Sequence, residues 1–279
     1  MNEASAMIYV LYHADCRDGF GSAYAAWKVL GDEAKYIPCQ HGRPLPDLEL
    51  NKETTIYVVD FSFERKVLVQ WSEQVGKLVV IDHHVTAQEN LSGLDFAHFD
   101  MERSAAILTW RHFHGANSEA PAFLFHIEDM DLWHFKLEGT REVCAAIDSY
   151  DMDFSIWDDF ASSEACQRLK QEGSVILRFV NKQVGYICRE RMLINIGEYK
   201  DVPCVNTAVF VSESCAKLLE DHPEAKLAAS WFQVEPTRRI FSLRARKGET
   251  DVAELAKSFG GGGHPSASGF SIPVDDVSV

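Results

Sequence analysis

The chain has 279 residues, long for one compact domain and comfortable for two. Hydrophobic residues at 46% and charged residues at 25% exclude a disordered or low-complexity protein. Forty-two acidic against 27 basic residues leave a formal charge of −15, a field that repels long nucleic acid and argues against a duplex-coating protein.

Met7 to Tyr12 is apolar, lacks a basic flank and runs straight into His13, so it reads as a first strand and not as a signal peptide. A helix is expected through Tyr24, Ala25, Trp27 and Leu30, then a strand at Thr55–Val59, a helix at Arg65–Gln74 and a strand at Leu78–Ile81. Ser104–His114 and Ala122–Leu132 carry further helical patterns, with Gly115–Pro121 as a loop. Short apolar strands separated by helices predict an α/β fold whose parallel sheet is covered on both faces. From Trp157 to Arg191 the pattern is helical, with Val175, Phe179, Val180, Val184 and Ile187 on one side. A smaller α/β unit follows, with strands at Val205–Phe210, Leu227–Gln233, Arg239–Arg244 and Ala267–Ile272 and helices at Glu213–Leu219 and Asp251–Phe259. The expected division is a first domain over 1–156, a helical connector over 157–194 and a second domain over 195–279.

Seven scattered cysteines without a C-x-x-C predict reduced thiols, and neither a zinc ribbon nor a disulfide framework. No apolar run approaches the roughly 18–20 residues of a membrane span. A cytoplasmic protein without a membrane partner is the expectation.

Three of the expected strands end in metal-ligand residues. The first runs into His13-Ala14-Asp15-Cys16-Arg17-Asp18-Gly19, the second into Asp60 and the third into Asp82-His83-His84. Open parallel sheets bind ligands beyond the carboxyl ends of their strands. Carboxylates mixed with imidazoles suit Mn²⁺ or Mg²⁺ better than structural zinc, and a shared carboxylate could bridge two ions about 3.5–4 Å apart. Each piece alone has a plain structural use: His13 as a polar loop residue, Asp60 as a helix cap. Their occurrence at three successive strand ends is what points to a metal site. Glu128-Asp129-Met130-Asp131-Leu132-Trp133 offers further carboxylates, and chemistry alone leaves open which of Asp129 and Asp131 ligates.

Near the C-terminus, Phe259-Gly260-Gly261-Gly262-Gly263-His264-Pro265 puts four glycines before a histidine. Such backbone can approach an anion closely, with His264 placed to donate to a phosphate or a base. Arg244 and Arg246 are two apart on an expected strand, hence on one face. They could clasp a phosphate or simply line an exposed polar face.

Together these residues resemble the DHH phosphoesterase family, in the branch with a C-terminal DHHA1 domain. His13-x-Asp15-x-x-Asp18-Gly19, Val59-Asp60, Asp82-His83-His84 and Glu128–Trp133 are similar to its four metal motifs, and Gly260–His264 to the DHHA1 glycine signature. The resemblance implies a metal-binding DHH domain, a substrate-binding DHHA1 domain and an active site in the cleft between them. It also implies two divalent ions, manganese first, with magnesium or cobalt as alternates. By position, His13 and Asp15 would hold one ion, Asp18 and His83 the other, Asp60 would bridge them, and Asp129 would complete the site. Asp82 would ligate or orient His83, His84 would contact phosphate, and Arg17 could lie over the scissile phosphate. Arg244, Arg246, Gly261, Gly262, Gly263 and His264 would bind substrate. Two residues separate Asp15 from Asp18 where many members have one, which makes the duty of Asp15 the open point.

The implied activity is hydrolysis of short oligoribonucleotides or of linear or cyclic dinucleotides, with a homodimer as the oligomer to expect. Rival readings are a phosphomonoesterase acting on 3′-phosphoadenosine phosphate, a pyrophosphatase-like enzyme, and a nucleotide sensor with a dead site, which the full ligand set disfavours. A processive exonuclease on long strands is disfavoured by the net charge.

Overall fold

The computed structural model describes residues 7–275. The chain divides into two compact units, Met1–Ile176 and Leu177–Val279.

The first unit carries β1 (Ile8–His13), α1 (Arg17–Leu30), β2 (Ala34–Cys39), β3 (Thr55–Val59), α2 (Arg65–Gln74), β4 (Lys77–Asp82), α3 (Val85–Asn90), β5 (Ala97–Phe99), α4 (Ala105–His114), α5 (Ala122–Asp131), α6 (Thr140–Ile147) and α7 (Phe154–Asp158). Its five strands are all parallel, in the order β2-β1-β3-β4-β5. Alternation along the strands fills two separate cores. Val10, Tyr12, Tyr57, Val59, Val79 and Ile81 face one cluster with residues of α1, α4 and α5. Tyr9, Leu11, Ile56, Val58 and Val80 face the other, with Leu68 and Trp71 of α2. Burial on both faces is why these strands read as continuous apolar runs. The expected parallel sheet with helices on both faces is thus present. Two strands of this unit were not foreseen: β2 has a mixed burial pattern, and β5 is only three residues long.

The division between the units falls inside α8 (Ser163–Arg189), the long helix of the expected connector. After it come β6 (Met192–Ile196), β7 (Tyr199–Asn206), α9 (Val211–Asp221), β8 (Leu227–Glu235), β9 (Arg238–Ala245), α10 (Val252–Ser258), β10 (Gly262–His264) and β11 (Ala267–Pro273). They form a six-stranded mixed sheet, β10-β11-β9-β8-β7-β6. Its β7–β8 pair is parallel and its other pairs are antiparallel. Among the described residues no helix is long and apolar enough to cross a membrane.

Candidate metal centre

The register of the first sheet assembles the site. Tyr12 pairs with Val59, and Val59 with Ile81. One residue further on, His13, Asp60 and Asp82 stand abreast at the carboxyl edge of three adjacent strands. Asp60 adopts φ 54°, left-handed backbone that aspartate tolerates better than most residues. Its amide still donates to Ile81 O at 3.0 Å.

The two oxygens of Asp60 face different partners. Oδ2 lies 3.5 Å from His13 Nδ1 and 3.4 Å from Cys16 Sγ. Oδ1 lies 3.4 Å from His83 Nε2 and 4.0 Å from His84 Nδ1. His83 Nε2 in turn meets Asp18 Oδ2 at 3.6 Å and Asp131 Oδ2 at 3.4 Å. Among the described residues, three sets of side chains offer ligand atoms within 4.8 Å of one another: His13, Cys16 and Asp60; Asp60, Asp82, His83 and His84; and Asp18, His83 and Asp131.

Neighbouring elements hold these groups still. Asp18, on the first turn of α1, accepts from the amides of Ala105 and Ala106 at 2.7 and 3.0 Å. The carboxylate thereby satisfies the open N-terminus of α4. Glu128 accepts from Arg103 and from the Ser104 amide at that same helix start. Asp82 Oδ1 accepts from the amides of His83 and His84 and lies 2.6 Å from His84 Nδ1, which fixes that ring. Gly19 lets α1 start against the end of β1, since a Cβ there would lie 2.2 Å from His13 O.

The electrostatics call for cations. Asp18, Asp60 and Asp82 are each at most 2% exposed, and a buried carboxylate costs several kcal/mol unless it is compensated. Burial, then the carboxylates of Asp60 and Asp131, push Asp18 well above its ordinary value. Burial opposes charge on His83, but the hydrogen bond to Asp60 and the charges of Asp18 and Asp131 outweigh it and raise its pKa to about 10. Burial also opposes ionisation of Asp60, and hydrogen bonds with His13 and His83 overcome it, holding the carboxyl below its ordinary value. The carboxylates that raise the His83 pKa are crowded around one point, and divalent ions placed there would neutralise them. The donor set fits such ions.

The structure brings together His13, Asp18, Asp60, Asp82, His83 and His84, and neither Asp15 nor Asp129 belongs to that cluster. Asp15 is exposed, and its Oδ2 lies 3.4 Å from Gln40 Nε2, outside all three ligand sets. Asp129 lies outside the three ligand sets, and its carboxylate accepts from the Lys136 amide on one oxygen and from the Leu137 amide and Thr140 Oγ1 on the other. Asp131, the other acid that the sequence left open, belongs to a ligand set with Asp18 and His83. Arg17 is ion-paired with Asp148, and its charge also acts on Asp131 of the cluster. Arg246 lies just past β9, and its guanidinium donates to the carbonyls of Leu219, His222 and Ala225 around the end of α9. Arg244 remains on β9, half-buried, with one nitrogen donating to Ser212 Oγ at 3.0 Å. The glycine tract is partly explained by packing. Gly261 and Gly263 abut β11 so closely that a Cβ would meet backbone at 2.1 and 2.7 Å, and His264 is exposed on β10.

Cys16 and Asp131 are the members of the cluster that sequence reasoning did not assign. For Asp131 a signal existed: Leu124, Ile127 and Asp131 form one helical stripe, and a Cβ on Gly21 of α1 would touch Leu124 and Ile127.

No protein-family model matches the chain. It is 30% identical over 285 residues to the uncharacterized protein R106 of Acanthamoeba polyphaga mimivirus, across 94% of this chain and 66% of that protein. The chain therefore spans about two thirds of the length of that relative. Among solved structures it shares its fold with a pGpG-specific phosphodiesterase, PggH, of Vibrio cholerae, with a TM-score of 0.54 and 14% identity over 97% of this chain and 94% of that one. It also resembles an exopolyphosphatase-related protein of Bacteroides fragilis, with a TM-score of 0.50 and 15% identity over 95% and 86% of the two chains. At these identities the likeness is one of fold: a parallel α/β sheet followed by a smaller mixed sheet.

Proposed function

We propose that the chain is a DHH-type phosphoesterase that uses two divalent ions to cleave the phosphodiester bond of short nucleotides. The observation that carries this reading is the split carboxylate of Asp60, one oxygen toward His13 and the other toward His83. An acid placed in this way can serve two cations at once. The fold shared with a phosphodiesterase of a linear dinucleotide supports the same reading.

His13 and Asp60 Oδ2 would hold one ion; Asp60 Oδ1, His83, Asp18 and Asp131 would hold the other. Bound there, the ions supply charge neutralisation at the phosphoryl oxygens and a water of lowered pKa. The chain's own residues do the positioning. The α4 amides fix Asp18, and Asp82 fixes His84 through Nδ1, so that His84 meets a phosphate through Nε2. By resemblance, Arg244, the glycine tract and His264 would be the groups that bind substrate. Manganese is the first candidate ion by resemblance and by the mixed nitrogen and oxygen ligands.

The test is hydrolysis of short oligoribonucleotides, pGpG and cyclic dinucleotides by purified protein, resolved by chromatography with and without chelator. Chelation should abolish cleavage and added metal should restore it. Asp60→Asn should cost several orders of magnitude in turnover, because a neutral amide cannot serve two dications. Full activity in excess chelator, or in Asp60→Asn, would falsify the two-metal reading.

A further inference from the structure

Cys16 precedes α1 with extended backbone, φ −126° and ψ 132°. That conformation carries its sulfur to Asp60 Oδ2 at 3.4 Å, the oxygen that His13 Nδ1 reaches at 3.5 Å. A tetrahedral cation has ligand distances of about 2.3 Å to sulfur and about 2.0–2.2 Å to nitrogen or oxygen. Two such ligands then stand about 3.3–3.6 Å apart along an edge of the tetrahedron. The observed separations have this length. Among the described residues the other Asp60 oxygen looks toward imidazoles and carboxylates, without a thiol, so the two halves of the centre differ in chemistry.

We propose that Cys16 is a thiolate ligand of the ion held by His13 and Asp60, so that this position takes a soft or borderline divalent cation such as Zn²⁺ or Co²⁺. The adjacent position, made of His83, Asp18 and Asp131, takes a harder ion such as Mn²⁺ or Mg²⁺. The centre is then a mixed pair. On binding, the thiol gives its proton to solvent and the sulfur lone pair goes to the cation; nothing is oxidised. The assignment rests on the two-metal reading above but is separable from it. The neutral alternative is a thiol that merely donates a hydrogen bond to Asp60.

Cobalt distinguishes the two. The full chain, stripped of metal, is titrated with Co²⁺ alone and followed by absorbance and by bound-metal analysis. The expected result is about two ions per chain and a near-ultraviolet sulfur-to-cobalt charge-transfer band. Cys16→Ser should lose the band and one of the two ions. Cys16→Asp should keep both ions without the band. Circular dichroism of both variants confirms that they fold. Two bound Co²⁺ without the band, or a band that persists in Cys16→Ser, overturns the thiolate assignment and leaves the two-metal reading standing. No Co²⁺ binding by the unmodified chain overturns both.

Discussion

Asp131 Oδ2 faces His83 Nε2 at 3.4 Å, whereas Asp129, two residues earlier on α5, turns its carboxylate to the segment after that helix. There it accepts from the amides of Lys136 and Leu137 and from Thr140 Oγ1. Two acids of one short motif therefore do different work, one toward the metal centre and one in holding the chain that leads into α6.

The consequence is a crossed pair of variants. Asp131→Asn should weaken metal binding by at least about tenfold, as losses around metal sites typically do, and leave the stability of the metal-free chain near its original value. Asp129→Ala should do the reverse, costing about 1–3 kcal/mol through three orphaned donors. Urea unfolding of metal-free protein and metal titration read the two effects separately. Acid should shrink the Asp129 difference. Burial opposes its charge, but Thr140 and the two amides hold its pKa below the ordinary value. Its contribution is thus complete above about pH 4 and is lost as pH falls through the lower folded value. If Asp129→Ala releases the metal while Asp131→Asn retains it, the assignment is reversed.

Gly19 offers a second test, because its space is set by the backbone. A methyl group at this position would lie 2.2 Å from His13 O and 2.8 Å from His13 Cβ, so either the start of α1 or the end of β1 must move. Gly19→Ala should destabilise the protein by about 1–3 kcal/mol, the usual cost of overpacking, and should also weaken metal affinity, because both His13 and Asp18 flank the displaced joint. Gly31 meets nothing within 4 Å but has φ 51°, so Gly31→Ala controls for ordinary backbone strain: it should destabilise without touching metal affinity. Equal metal affinity in Gly19→Ala and in the unmodified chain would show that the joint does not position the site.

Much of this centre was legible because it follows from periodicity. A strand buried on both faces is a run of apolar residues, and the run stops where the sheet meets the site, so His13, Asp60 and Asp82 are marked by the end of hydrophobicity alone. Register did the rest, and register cannot be read from one strand. Asp15 and Asp129 lie outside the cluster for local reasons. Asp15 takes a left-handed turn, φ 54°, that removes it from the line of β1. Asp129 is claimed by donors seven to eleven residues downstream, a partnership without a sequence signature. Cys16 carries no signal of its own in the sequence, because seven scattered cysteines without a C-x-x-C predict only reduced thiols; Cys39, Cys144 and Cys204 are free and buried. Arg246 was paired with Arg244 by strand alternation, but β9 ends at Ala245.

The two arginines make a third prediction. Arg246 serves the C-terminal end of α9, where a cation meets unpaired carbonyls, so Arg246→Ala should lower stability by about 1–3 kcal/mol and leave kcat/KM of the folded fraction unchanged. Arg244→Ala should act on turnover: removing a charge-assisted contact worth about 1.5–3 kcal/mol corresponds to roughly 10- to 150-fold in kcat/KM, with bound metal unchanged. Chevron or equilibrium unfolding beside steady-state kinetics separates them. A kinetic defect in Arg246→Ala that exceeds its unfolded fraction would return that residue to the substrate.

The last prediction concerns substrate length and follows from charge. With −15 overall, phosphates are welcome only where the field is reversed, and in the first unit that place is the metal centre, where two dications would stand among His13, His83 and His84. A dinucleotide brings its few phosphates to that spot. Each further nucleotide that runs over the first unit meets a surface whose acidic residues outnumber the basic ones, and there it adds repulsion in place of binding energy. The penalty is greatest at low ionic strength, where the screening length grows to about 30 Å at 0.01 M. Substrates of about two to five nucleotides should therefore outpace a 24-mer by an order of magnitude or more in kcat/KM at low salt, and the gap should narrow as salt is raised. A gap that widens with salt would point to a nonpolar cause of length selection, and equal rates for a dinucleotide and a 24-mer would mean that the chain accepts long strands.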